Sequence, residues 1–240
     1  MYKKTALITG ASRGIGRAIA VKLASLGCNL ILICKNNSSL LEELKDELLE
    51  KYNTSCTICT GDVSDEAFIA ECFSNIDSLD ILINNAGISY VGLLQDMTLA
   101  DWNKVINTNL TSCFLTCRHA VPLMLKNKAG SIINISSMWG RVGASLEVAY
   151  SASKGGLNAF TMALAKELAP SSIQVNAIAC GVVDTDMNSH LSKEEKDQLS
   201  AEIPADRFAE PEEIAQAVSS IIDAGPYLTG QIIGVDGGYI

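Results

Sequence analysis

The sequence predicts an α/β fold: a doubly wound domain whose parallel sheet has about seven strands, with helices on both faces. Three observations lead there. Short apolar, β-prone runs recur at 5–9, 30–34, 56–60, 81–83, 132–135, 175–179 and 232–235. Helical spacing fills the intervals, as in Ala18, Ile19, Val21, Leu23, Ala24 and Leu26. The first run passes straight into a glycine turn. Strands alternating with helices make βαβ units, and successive units build a parallel sheet covered on both sides. Ligands of such sheets bind beyond the carboxyl ends of the strands, so chemistry is expected just after each run.

The chain has 240 residues, with no Pro/Gly/Ser-rich linker, low-complexity tract or internal repeat to mark a boundary. One domain over 1–240 is therefore expected, and 48% apolar residues supply a sizeable core. Tyr2, Lys3 and Lys4 lead directly into a core strand, which reads as no signal peptide. No apolar run is long enough to span a bilayer. Cys56 and Cys59 sit three apart on one strand and so face opposite sides. His119 and His190 are the two histidines, and they complete no ligand set, so no metal is expected. Cys113 and Cys117, four apart on a helix, read as core residues. A reduced, cytoplasmic protein follows, and a net charge of −9 disfavours nucleic acid and anionic membranes as partners.

The turn after the first run is Gly10-Ala11-Ser12-Arg13-Gly14-Ile15-Gly16. Glycines allow positive φ and close approach of backbone to ligand. A helix N-terminus offers free N–H donors and partial positive charge to a pyrophosphate. The spacing T-G-x-x-x-G-x-G fits a phosphate cradle, and equally a tight strand-to-helix turn that holds nothing.

Past the middle of the chain, Tyr150 and Lys154 stand one helical turn apart. A phenol has an ordinary pKa of about 10, and a lysine at i+4 places a cation beside it. In water the pair is worth only about 0.2–0.5 kcal/mol. Lowering the phenol by two or three units needs roughly 3–4 kcal/mol, so the site must be partly desolvated and aided by a second positive charge.

With the glycine turn and this pair in place, the chain resembles the short-chain dehydrogenase/reductase family over essentially its whole length. Asp62-Val63 resembles the family's adenine contact, and Asn84-Asn85-Ala86-Gly87 its N-N-A-G motif. Asn109 falls where the family places its catalytic asparagine, and Ser137 precedes Tyr150 by the family's usual thirteen residues. Val175-Asn176-Ala177-Ile178 and Val235-Asp236-Gly237-Gly238 match later motifs. Cys180 departs from the family's usual proline before the glycine at Gly181, which predicts a less rigid backbone there.

The resemblance implies a Rossmann-type dinucleotide-binding fold and a catalytic set of Asn109, Ser137, Tyr150 and Lys154. Ser137 holds the substrate carbonyl, and Tyr150 gives its proton to the developing alkoxide as hydride arrives. Lys154 binds the nicotinamide ribose and lowers the phenol pKa. Asn109 holds a water that links Lys154 to solvent. The implied cofactor contacts are Gly10, Ser12, Arg13, Gly14, Ile15, Gly16, Lys35, Asn36, Asp62, Val63, Asn84, Ala86, Gly87, Tyr150, Lys154, Gly181, Val183 and Thr185. After the second run the chain reads Ile33-Cys34-Lys35-Asn36-Asn37, with no acid to bind a ribose diol and exclude a 2′-phosphate. Together with Arg13 this favours NADP(H), with NAD(H) possible.

Several stretches, among them Tyr227-Leu228-Thr229-Gly230-Gln231, look most like 3-oxoacyl-[acyl-carrier-protein] reductases, implying a small or carrier-bound ketone. Only Lys126 and Lys128 remain where those reductases tend to carry carrier-binding arginines. The 138–147 stretch places Trp139, Arg141 and Glu147 at the pocket, with Ser137 and Tyr150. Glu147 either pairs with Arg141 or faces a cationic substrate. The stretch resembles a branch that reduces an amino-ketone on a modified lysine of elongation factor P. A sugar or polyol dehydrogenase and a non-catalytic dinucleotide sensor are the other readings, the last disfavoured by the complete catalytic set. A homotetramer is also implied, and the apolar surplus on the helices around Phe114 and over 157–168 agrees.

Overall fold

Side chains along a strand alternate between two layers, and that alternation organises the molecule. The computed structural model describes residues 3–189 and 191–240. Tyr2, on which the signal-peptide reading leans, and His190 lie outside them. In β1 (Thr5–Thr9), Ala6 and Ile8 enter one core layer and Leu7 the other. The first layer is completed by α1 (Gly14–Ser25) after β1 and, beyond β2 (Asn29–Cys34), by Leu41, Leu44 and Leu48 of α2 (Ser38–Tyr52). Across β3 (Cys56–Thr60), Cys56 packs on this first layer and Cys59 on the second. The second layer takes Ile69 and Phe73 of α3 (Glu66–Ser74). That helix is started by Asp65, whose carboxylate accepts from the N–H groups of Ala67 and Phe68.

The remaining elements are β4 (Ile81–Asn84), α4 (Leu99–Ile106), α5 (Ser112–Asn127), β5 (Gly130–Ser137), α6 (Trp139–Val142), α7 (Val148–Leu168), β6 (Ile173–Cys180), α8 (Lys193–Glu202), α9 (Pro211–Asp223) and β7 (Ile232–Val235). Helices α5 and α7 cover the second layer, and α9 joins α1 and α2 on the first. All neighbouring strands are parallel, in the order β3-β2-β1-β4-β5-β6-β7. This is the doubly wound seven-stranded sheet that the sequence predicts. The order reverses at the β1/β4 pair, so the loops after those two strands part there and open the crevice in which such folds bind ligands.

Strand β5 runs on past its apolar run into Ser136 and Ser137. Buried Asn134 in β5 explains how: it accepts from Asn84 at 2.9 Å and donates to the Thr161 hydroxyl of α7 at 2.8 Å. Strand β5 therefore carries Ser136 and Ser137 to the rim fully paired with β6, Ser137 opposite Cys180. The backbone at Cys180, where a less rigid chain was expected, is hydrogen-bonded on both sides. Its carbonyl accepts from Met138 N–H at 2.9 Å, and Gly181 N–H donates to Val235 at 2.9 Å. Among the described residues no helix is long and apolar enough to cross a membrane, and no group of three or more His, Cys, Asp or Glu could hold a metal.

Candidate active site

The glycine turn sits at the end of β1 in a conformation that requires its glycines. Gly10 and Gly14 have φ of +66° and +53°, where a side chain is strained. A Cβ on Gly16 would lie 2.2 Å from the Gly10 carbonyl oxygen. The turn is held from below by two residues that the sequence reading did not single out. Thr9 Oγ1 accepts from the N–H groups of Asn85 and Ala86, each at 3.0 Å, and Asn85 Nδ2 donates to the carbonyls of Thr9 and Gly10 at 3.0 and 3.1 Å. The second asparagine of N-N-A-G thus locks the two loops of the crevice together. Helix α1 starts at Gly14 with no side-chain cap and no acid in its first turn. A donor-rich helix end without its own acceptor, approached over glycines, suits the pyrophosphate of a dinucleotide. Buried Ser12 and half-buried Ile15 belong to the same turn. Thr185 lies over it, 3.2 Å from where a Gly14 Cβ would be, and buried Val183 bridges to Ala209.

Lys35 lies exposed beyond β2, with Asn36 beside it, and pairs with Asp62 at 2.5 Å; Arg13 pairs with Asp186 at 3.2 Å. Burial opposes ionisation of Asp62, but hydrogen bonds from Lys35 and from the N–H and hydroxyl of Ser64 outweigh it and hold the carboxyl below its ordinary range. Two of the implied contacts turn inward. Val63 is buried in the core, and Asn84 spends its side chain on Asn134, Cys117 and the Thr116 hydroxyl. The side chains of both are structural, which leaves only backbone to meet a ligand.

Ser137, Tyr150 and Lys154 come together at the ends of β5 and β6. Strand β5 carries Ser137, and α7 lies along β5 and β6 with Tyr150 and Lys154 in its first two turns. The Tyr150 phenol lies close enough to the Ser137 hydroxyl for that group to favour its ionised form, and Ser137 Oγ accepts from Trp139 N–H at 3.2 Å. Lys154 is 4% exposed; its Nζ donates to the Ile135 carbonyl at 2.8 Å and lies 5.6 Å from the Tyr150 ring centre. Burial pushes the lysine down from its ordinary pKa.

In the protein alone the phenol is raised above its ordinary pKa; the expected lowering calls for a second positive charge beside Lys154, that of the oxidised nicotinamide. Burial pushes Tyr150 up; the Ser137 hydroxyl opposes this, and nearby Cys180 and Glu147 add to the rise. Desolvation of a phenolate outweighs an ammonium already engaged by a carbonyl. The result is a phenol that keeps its proton and can donate it.

Asn109 has partners that its place in the sequence does not reveal. It lies in a single π turn, Asn107–Thr111, between α4 and α5, and such turns often occur at functional sites. Its amide is spent within the protein. Nδ2 donates to Ile88 O and Ser153 Oγ, and Oδ1 accepts from Ile88 N–H, all at 2.9–3.0 Å. Asn109 therefore ties the loop after β4 to α7. Its Oδ1 and Lys154 Nζ lie 3.5 and 3.6 Å from the point where a Gly87 Cβ would be, so Gly87 leaves a niche between them. Asn109 Oδ1 keeps one lone pair with which to accept from a water there.

At the mouth, Glu147 pairs with no cation among the described residues, so the Arg141–Glu147 ion pair does not form. Glu147 instead accepts from Ser89 Oγ at 2.5 Å, a partner that the sequence did not point to. The adjoining Gly92 N–H donates to the Leu146 carbonyl at 2.8 Å. The Glu147 carboxylate is thus fixed near Tyr150 with its charge uncompensated.

This geometry agrees with known proteins. The model of the short chain dehydrogenase family matches residues 4–196. The chain is 40% identical over 238 residues to the uncharacterized oxidoreductase YmfI of Bacillus subtilis, covering 98% of each chain. It is 41% identical over 240 residues to the 3-oxoacyl-[acyl-carrier-protein] reductase FabG of Aquifex aeolicus, covering 98% of this chain and 96% of that one. The solved structure of YwfH, an NADPH-dependent reductase involved in bacilysin biosynthesis, superposes with a TM-score of 0.94 at 28% identity, over 100% of this chain and 99% of the other. The chain belongs to the short-chain dehydrogenase family and is an oxidoreductase of the CH–OH/C=O couple.

Proposed function

We propose that the protein is an NADP(H)-dependent carbonyl reductase that acts on a 3-oxoacyl thioester, small or carrier-bound. The observation that carries this reading is the convergence of a half-buried Tyr150 with Ser137 and buried Lys154 at the strand ends. The cofactor, when bound along the glycine turn, supplies the hydride. The Ser137 and Tyr150 hydroxyls bracket the carbonyl oxygen, and Tyr150 passes its proton to the alkoxide as it forms. Lys154 holds the ribose hydroxyls and, as a buried cation, stabilises negative charge on the phenol oxygen after the transfer. Arg13 and Lys35 exchange their carboxylate partners for the 2′-phosphate. Those pairs are exposed and worth about 0–1 kcal/mol, so the exchange costs little.

Glu147 favours a second reading, in which the ketone carries a cation, as an amino-ketone does. The decisive measurement is NADPH consumption against a panel of a β-ketoacyl thioester, a basic amino-ketone and a sugar. The thioester should give the highest kcat/KM. Turnover of the basic ketone alone moves the assignment to the second reading, and tight NADPH binding without any turnover moves it to the sensor.

The assembly we propose is a homotetramer in the cytoplasm. Phe114 and Leu125 of α5 and Met162 of α7 point outward and are 41–47% exposed, an apolar surface in need of a partner. A monomeric mass by light scattering at micromolar concentration refutes it.

A further inference from the structure

We infer that Tyr239 is a positioning residue that ties helix α8 to α6, the short helix that follows Ser137 at the end of β5. Its ring meets Trp139 edge-on, with centres 6.0 Å apart and planes at 72°. Its hydroxyl donates to Glu202 Oε2 at 2.8 Å, at the last residue of α8. Glu202, through this hydrogen bond, also raises the tyrosine above its ordinary pKa.

Both ends of this link are stiff. On the catalytic side, Trp139 N–H is the donor that fixes Ser137 Oγ. The next residue, Gly140, packs so closely that a Cβ there would lie 2.7 Å from the Lys154 carbonyl carbon, and its own carbonyl accepts from Asn158 at 3.1 Å. A shift of Trp139 is therefore felt by both Ser137 and Lys154. On the α8 side, Ala205 N–H donates to the Gly237 carbonyl at 3.1 Å, and a Cβ on Gly237 would lie 2.8 Å from buried Ile203. Asp236 lies against Gly181 at the end of β6. The tail thus crosses the strand ends between α8 and α6, and Tyr239 is the side chain that touches both.

The consequence for catalysis rests on the reading that Ser137 holds the substrate carbonyl. Seating of α8 then sets how well Ser137 is aligned, which appears mainly as binding. Tyr239→Phe keeps the ring and removes the hydroxyl. In a Trp102→Phe background, which leaves Trp139 as the one tryptophan, it should shift Trp139 emission. It should also speed amide exchange across α8 about fivefold, the size of one half-exposed hydrogen bond, and raise KM several-fold with kcat within about twofold. Glu202→Ala should reproduce all three effects, and Glu202→Gln, which keeps an acceptor, should restore them. Unchanged α8 exchange in both Tyr239→Phe and Glu202→Ala overturns the proposal. Faster exchange with unaltered Trp139 emission and KM overturns it too, because the tail would then hold α8 without reaching α6. If the wild type reduces no ketone, the functional reading fails by itself, and exchange and emission still decide the link.

Discussion

Two lysines mark two regions of the crevice with opposite electrostatics. Lys154 is buried under α7, its ammonium satisfied by a backbone carbonyl. Lys35 has 57% of its side chain in solvent and pairs with a carboxylate. A charge taken out of water is costly and survives only where packing and hydrogen bonds hold it, whereas an exposed ion pair is weak, exchangeable and screened by salt. The corner of Ser137, Tyr150 and Lys154 is consequently built in the protein alone. The edge of Arg13 and Lys35, which we propose holds the 2′-phosphate, is a pair of exposed cations whose carboxylate partners are exchangeable.

The largest expected effect is at the buried corner. Tyr150→Phe removes the proton donor and keeps the packing, so kcat should fall by about 10³, within the range of a lost general acid, while NADPH binding stays unchanged. Turnover retained above about a tenth ends the proposed mechanism.

Gly16→Ala tests the turn between the two regions. The new Cβ would fall 2.2 Å from the Gly10 oxygen and 2.6 Å from Asn85 Nδ2. Overpacking of a few kcal/mol should weaken NADPH binding about 10²-fold in fluorescence titration. Wild-type affinity would show that the turn yields and is no cradle.

Lys35→Met sharpens the contrast between the lysines. It should cost NADPH about tenfold in affinity at low salt and leave NADH unaffected, and the difference should shrink as salt rises. Lys154→Met should weaken both cofactors alike with little salt dependence. Equal binding of NADH and NADPH by the wild type in low salt removes the phosphate site.

A smaller effect separates the two substrate readings. Glu147→Gln should cost about 1–3 kcal/mol on a basic ketone, seen in KM because the contact exists in ground and transition states alike, and leave a neutral thioester nearly untouched. Equal losses on both substrates eliminate the cationic reading.

The smallest expected effect is none. Tyr150 is raised above 10, so its proton is present at every lower pH and is lost only as pH climbs through that raised value. Reductive kcat/KM should therefore show no alkaline fall assignable to this phenol below pH 10. A limb near pH 8 that vanishes in Tyr150→Phe would contradict the electrostatics described here.

The seven strands were legible because apolar runs with helical intervals have few other ways to bury themselves. Gly10, Gly14 and Gly16 were legible because no other residue fits that turn. What stayed hidden were partners far apart in the chain. Asn85 stood in plain view within N-N-A-G, yet only the parallel pairing of β1 with β4 brings it to Thr9 and Gly10. Arg141 was one of the two partners open to Glu147 in the sequence, and Ser89, fifty-eight residues away, holds the acid instead.

The sequence by itself determined the βαβ alternation and the glycine turn and named the candidate proton-handling side chains, because local pattern and residue chemistry are properties of the chain. Tertiary structure alone decided the desolvated surroundings of the Tyr150 phenol, the inward turn of Asn84 and Val63, and the tight anchoring of Asn109. Burial, and the competition among hydrogen-bond partners brought close by folding, set these features, and neither can be read from spacing along the chain.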